Sequence, residues 1–518
     1  MVSPVDQFYN NYYDKGFFFP VSVLSTYALS LNTKPFVLLS GISGTGKTKI
    51  AQLFDVSGSD APELSEEDSP ILSIKIPESL ERFNFAISEL SSLFEEKEED
   101  EFNSLAEKAR EDGNDGNFSP FYVFTVEDEF GEFQFGLYGQ RASSPLIRGR
   151  LYKSRNDRDN EPYDARDHIK AHYNEGDVLG LEKIGPRKFR VISSNDEPTI
   201  KRQRKFELAE LNRHCFISVK SDWTDTSSLL GFYNLIEQKY HVPSFLSFLM
   251  EARDNPEYPY FVIFDEMNLS KVEHYFSDIL SCMESRYKNE EDIYQEKITL
   301  HHGSEVVSTD SDEFETIPTS IELPLNLYIT GTVNVDESTY MFSPKVLDRA
   351  NVIEFNEVDL EKYEENTLSV DTEYKLSTIP LFKSVQIPSR DHFTKLKPEV
   401  RNHLKSVNRI LEEYNLHFGY RTVNEMSLYV LNALHYINDS DETSQKALDY
   451  QFVQKVFPKF NGGYAQLEAP LNKLIQYFSG EEDITKVDPS RTKFPKTLSK
   501  LLRMYKTLAQ NGYASFIE

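Results

Sequence analysis

Short uninterrupted apolar runs recur along the chain, and each stops at a polar or glycine-rich break. Phe36-Val37-Leu38-Leu39 is the first. Cys215-Phe216-Ile217-Ser218-Val219, Tyr260-Phe261-Val262-Ile263-Phe264, the stretch from Leu327 to Val333, and Val352-Ile353 before Phe355 follow it. Runs of about four to eight residues without alternation predict strands buried on both faces, as in a parallel sheet covered by helices. Residues 1–34 carry apolar positions near the helical period, Phe8 and Tyr12 and then Val21 to Leu31, and lead directly into the first run. The same period returns beyond about residue 395, over 407–414, 423–436, 447–457 and 469–478, and residues 360–395 read as a connector. The predicted fold class is therefore α/β, with a parallel five-stranded sheet and a helical C-terminal lid.

The second run begins far beyond the reach of one crossover from the first, so a large insertion separates them. Residues 57–117 are acidic and polar around an amphipathic stretch (Leu80, Phe83, Ile87, Leu90, Leu93, Phe94) that predicts a helix. Residues 118–210 alternate apolar and polar positions between turn glycines and predict a β-rich module. The expected organisation is residues 1–56 as N-terminal helices and sheet start, 57–117 and 118–210 as insert, 211–360 as the rest of the core, and 361–518 as connector and lid.

Composition narrows the class. With 518 residues, a net charge of -28 and a pI near 4.9, the chain is not built to coat nucleic acid over its whole surface. Residues 118–205 depart from this, with 16 Lys and Arg against 14 Asp and Glu. Arg141, Arg148, Arg150, Lys153, Arg155 and Arg158 fall close to Tyr138 and Tyr152, a pattern that suits a phosphate backbone with stacked bases and equally a solvated face of mixed charge. Cys215 and Cys282 are too few for a disulfide framework, and no apolar run approaches the length of a membrane span. These features predict a cytoplasmic chain with no membrane partner.

The breaks after the strands carry the chemistry. Gly41-Ile42-Ser43-Gly44-Thr45-Gly46-Lys47-Thr48 follows the first strand and opens a helix, the context of a phosphate-binding loop. Its glycines let backbone N–H groups turn onto an anion, Lys47 reaches the terminal phosphates, and the Thr48 hydroxyl ligates Mg²⁺. Asp265-Glu266 closes an apolar strand, which places Asp265 beside the metal and Glu266 where it activates water. Asn334, at the tip of a further strand, is suited to hold the attacking water or the γ-phosphate, the position called sensor 1. Arg349 lies where an arginine finger would reach into a neighbouring subunit, and Arg421 opens a helix from which it could cover the phosphates. Trp223 stands just past a strand end, either as a contact loop or as the packing anchor of a capped helix. Glu237-Gln238-Lys239 reads as helical and lacks the upstream acid that a metal-dependent nuclease needs.

Taken together, Gly41 to Thr48, Asp222-Trp223-Thr224-Asp225 with Leu229-Leu230-Gly231-Phe232-Tyr233, Phe264 to Asn268, Gly331-Thr332-Val333-Asn334 and Leu347-Asp348-Arg349 resemble the AAA+ motor subunit of McrBC-type modification-dependent restriction systems. The resemblance covers residues 20–55 and 213 to about 480. It implies an AAA+ P-loop core and a ring oligomer, usually a hexamer, that hydrolyses nucleoside triphosphate with Mg²⁺. It also implies a separate McrC-like nuclease partner, DNA as the substrate, and a role in antiviral defence. Lys47 and Thr48 would then bind phosphate and metal, Asp265 and Glu266 would form Walker B, Asn334 would be sensor 1 and Arg349 the finger. The family's Asn-Thr-x-Asp reads Asn334-Val335-Asp336 here, which leaves ATP and GTP both open. The family's usual N-terminal DNA reader has its only expected counterpart in the insert at 118–205. A remodelling chaperone of the MoxR or midasin kind shares the same core.

Overall fold

The computed structural model describes residues 3–56, 71–76 and 84–87; residues 122–193 apart from 129, 140–146, 152, 156–161, 175–176 and 186; and residues 213–517 apart from 291, 304–305, 311–315, 336–339 and 357–373. The chain divides into two compact units, one formed by residues 1–60 and 212–518 and the other by residues 61–211.

In the first unit, helices α1 (Pro4–Tyr13) and α2 (Val21–Thr33) precede strand β1 (Phe36–Gly41). The remaining core strands are β2 (His214–Ser218), β3 (Tyr260–Asp265), β4 (Leu327–Asn334) and β5 (Asn351–Glu354). All pair in parallel, in the order β2-β3-β4-β1-β5. The five-stranded parallel sheet expected from the apolar runs is therefore present. β4 lies between β1 and β3, so their three carboxyl ends are neighbours. Gly41 pairs with Asn334 and Phe264 with Gly331, which brings the three tips level.

The core is aromatic, as the composition implies. Phe54 packs edge-on against Phe8, Tyr27, Phe261 and Phe382. Phe382 belongs to the stretch read as a connector. Its described part, from Tyr374, lies against the core: Phe382 is fully buried and the Val385 amide donates to the Leu325 carbonyl at 2.7 Å. Beyond it the chain is helical over Arg390–Lys395, Pro398–Glu412, Tyr420–Tyr436, Asp441–Gln451 and Tyr464–Ser479. The last helix, Pro495–Asn511, was not anticipated, although Leu498, Leu501, Met504 and Leu508 keep the helical spacing and are buried.

Two parts of this unit differ from expectation. The segment holding Glu237 and Lys239 is a hairpin, Phe232–Asn234 with Lys239–His241, and not a helix. The Asn234 side chain accepts from the Ile236 amide at 3.0 Å and Gln238 takes a left-handed φ of 54°, so local turn chemistry overrides the apolar spacing. Residues 287–322 form further short antiparallel pairs, Tyr287–Asn289 with Asp292–Tyr294, Lys297–Thr299 with Ser320–Glu322, and Val306–Ser308 with Thr316–Pro318.

The second unit holds a mixed seven-stranded sheet. Ile71–Lys75 pairs with Val178–Gly185, and Asn84–Ile87 pairs with Ile147–Leu151. The expected boundary at 117/118 therefore does not divide two bodies, and the predicted helix is a strand over 84–87. The rest of that helix, including Leu80, Phe83, Leu90, Leu93 and Phe94, lies outside the described residues. Phe124, Val126, Phe133, Ile169, Leu181 and Phe189 give this unit a core of its own.

Candidate functional site

The loop after β1 is shaped by its glycines. Gly46 has φ of +90°, and a Cβ there would meet the Phe19 ring at 2.9 Å. The following helix α3 (Lys47–Gln52) is short and is braced from α1, where the Asn11 amide donates to the Leu53 carbonyl at 2.7 Å and the Tyr12 hydroxyl to the Ile50 carbonyl at 2.9 Å. Ser43 and Gly44 are exposed, Thr45 donates to the Ile42 carbonyl at 3.0 Å, and the buried Lys47 ammonium donates to the Gly41 and Ile42 carbonyls at 2.8 and 2.6 Å.

Six side chains link the three strand tips. Thr48 Oγ1 donates to Asp265 Oδ1 at 2.7 Å, across 217 residues of sequence. Thr332 Oγ1, on β4, donates to the same oxygen at 2.8 Å and accepts from the Glu266 amide at 2.9 Å. Asn334 Nδ2 donates to Glu266 Oε1 at 3.1 Å. Asn268 Nδ2 in turn donates to the Asn334 carbonyl at 3.0 Å. Glu266 itself sits at φ 53°, ψ 50°, a left-handed conformation uncommon for a residue with a side chain. Thr48, Asp265, Glu266 and Asn334 are thus brought together as the sequence predicts. Thr332 and Asn268 were missed as contributors: each stands two residues from a motif residue, but nothing in the sequence says where either side chain points.

A cavity of about 110 Å³ opens beside Asn334, lined in part by Asn268, Val335, Tyr340, Lys459 and Ser515. The loop and the acids also suit a hard cation. Thr48 and Asp265 offer oxygen donors at one point, and among the described residues no group of three or more His, Cys, Asp or Glu could hold a metal by itself. One carboxylate and one hydroxyl completed by substrate phosphate is the donor set Mg²⁺ accepts.

The two arginines lie elsewhere. Arg349 precedes β5, whose Asn351 pairs with Val37 at the opposite end of β1 from the loop. It is ion-paired with Glu284, and its Nε and Nη1 have no hydrogen-bond partner among the described residues. Arg421 pairs with Glu284 and Asp348, and Lys459 reaches Asp348 at 2.6 Å. Arg421 and Arg349 therefore share Glu284 ahead of β5, and the ion pairs of Arg421 go to Glu284 and Asp348.

Trp223 packs edge-on against Tyr275 at 5.2 Å, and Asp225 caps the Ser227 amide at 2.8 Å. The packing-anchor alternative fits this arrangement. In the second unit, Arg148 and Arg150 occupy the Ile147–Leu151 strand, where Arg148 pairs with Tyr138, while Lys153 and Arg155 lie on a short strand facing Pro162–Asp164. Arg141, Arg158 and Tyr152 lie outside the described residues. Lys188 and Arg190 are both paired with Glu127 at 2.8 Å.

Among the described residues no helix is long and apolar enough to cross a membrane. No curated protein matches the chain. A family described as a domain of unknown function (DUF8727) matches residues 378–513, within the helical C-terminal region. Among solved structures, the chain is similar to a candidate ATPase from Cytophaga hutchinsonii, at 17% identity over 45% of this chain and 67% of that one, with a TM-score of 0.24.

Proposed function

We propose that the chain is an AAA+ nucleoside triphosphatase that uses ATP or GTP and acts as the ring-forming motor subunit of an McrBC-like restriction complex. The observation that carries the hydrolase reading is the continuous hydrogen-bonded path Thr48-Asp265-Thr332-Glu266-Asn334 across three adjacent strand tips. In this reading the loop amides and Lys47 hold the phosphates, and Thr48 with Asp265 would hold Mg²⁺. The bound ion would neutralise charge that develops on the phosphates. Glu266 takes a proton from the attacking water, and Asn334 orients that carboxylate through its amide. In a ring, Arg349 would act on a neighbouring subunit's site only after leaving its ion pair with Glu284. Hexamer formation, an McrC-like nuclease partner and DNA translocation belong to the same proposal and rest on the motif resemblance.

A second reading, a MoxR-like remodeller of proteins, is favoured by one feature. The hairpin tip between Asn234 and Lys239 presents Leu235 and Ile236 at 81% and 94% exposure. Its charges are only Glu237 and Lys239, whereas a tip that tracks a phosphate backbone carries cations. Turnover measured with ATP and with GTP, on the wild type and on Glu266→Gln, tests the shared activity. The variant keeps nucleotide binding and loses turnover by about 100-fold or more. Unchanged turnover rejects the assignment. Stimulation by duplex DNA supports the motor, and stimulation by an unfolded polypeptide supports the remodeller.

A further inference from the structure

We infer that Thr332 is a positioning residue that sets both acids of the Asp265-Glu266 pair through one hydroxyl, an inference that rests on the nucleotide hydrolysis proposed above. Thr332 is buried, and its hydroxyl proton goes to Asp265 Oδ1 while its lone pair receives the Glu266 amide. The two bonds act on different things. The first fixes the carboxylate that shares an oxygen with Thr48, and so the side of the site suited to Mg²⁺. The second holds the backbone of Glu266 in its left-handed conformation, from which its side chain meets Asn334. A carboxylate displaced by about 1 Å loses much of its catalytic effect, so one hydroxyl controls metal affinity and water activation together.

Thr330 supplies an internal comparison. It lies two residues earlier on β4 and is equally buried, but its hydroxyl pairs with the Tyr27 hydroxyl at 2.8 Å and touches neither acid. Thr332→Val keeps shape and removes the hydroxyl, Thr332→Ser keeps the hydroxyl, and Thr330→Val removes a buried hydroxyl of purely structural use. Two quantities are measured on the full chain with ATP and GTP: steady-state turnover, and the Mg²⁺ concentration that gives half-maximal nucleotide binding.

Thr332→Val lowers turnover and raises the Mg²⁺ requirement, each by about tenfold. Thr332→Ser stays near wild type, and Thr330→Val lowers the melting temperature without moving either quantity. Thr332→Ala removes the hydroxyl without adding a methyl and gives the same reading where the valine variant does not fold. Wild-type behaviour of Thr332→Val, or a loss in Thr332→Ser as deep as in Thr332→Val, overturns the assignment. A wild type that binds nucleotide without hydrolysing it refutes the hydrolase reading alone, and the Mg²⁺ titration still decides the role of Thr332.

Discussion

At the scale of single residues, the site depends on buried side chains packing onto backbone more closely than a Cβ permits. Gly331 shows this on β4. A Cβ there would lie 2.5 Å from Met267 Sδ and 2.9 Å from Leu38 Cδ2, both fully buried. Met267 directly follows Glu266, so the crowding reaches the acid through one peptide bond. Gly331→Ala is expected to destabilise the chain by about 1–3 kcal/mol as overpacking, seen as a lower urea midpoint at unchanged slope. It is also expected to reduce turnover more than nucleotide affinity. A variant as stable and active as wild type would show that Met267 repacks freely. The motif residues were readable from the sequence because each is a polar break at the end of an apolar run. Thr332 was not, since a threonine inside a strand is common for reasons of packing alone, and only the fold shows which way its hydroxyl points.

At the scale of elements, β1 is anchored at its far end by buried charge. Glu425, on the Tyr420–Tyr436 helix, is paired with Lys34 at the end of α2 and with Lys455 at 2.7 Å. Lys455 also donates to the Asp348 and Ala350 carbonyls, ahead of β5. Burial pushes the Glu425 carboxyl up, but the charges of Lys34 and Lys455 outweigh it and hold it below the ordinary value. Its contribution is therefore complete above the unfolded carboxyl value of about 4.3 and is lost as pH falls through the lower folded value. Glu425→Gln leaves two lysines without their counter-charge and costs about 3–5 kcal/mol at pH 7. The gap to wild type begins to narrow below the unfolded value of about 4.3, where the unfolded carboxyl takes up its proton, and closes once pH is below the lower folded value. Urea midpoints across this range measure it, and a constant gap would place the loss in packing instead of charge. The long helices and core strands were predictable because the period repeats over many residues. The pairs between Tyr287 and Glu322 were not, because their strands are three residues each, too short to show a period.

At the scale of the whole molecule, the insertion leaves and re-enters the first unit at neighbouring places. The His214 ring is in hydrogen-bonding contact with the Phe54 backbone, and burial holds that imidazole below its usual value. The last described residue before the insertion, Val56, and the first after it, Arg213, therefore follow and precede a pair already in contact. Each unit has its own buried apolar core, and all the residues linking the strand tips belong to the first. Replacing residues 61–211 by a short Gly/Ser linker asks only that a small loop be closed, and loop-closure entropy changes by only about 0.6 kcal/mol per doubling of length. The shortened chain is expected to melt within a few degrees of the parent and to hydrolyse nucleotide within about threefold of its rate, since no group in the proposed mechanism has been removed. If the inserted unit reads DNA, the same deletion abolishes salt-sensitive DNA binding while leaving basal turnover in place. Loss of turnover with folding intact would mean that the insertion contributes to nucleotide chemistry, and the path across three strand tips would then be incomplete as an account of the site.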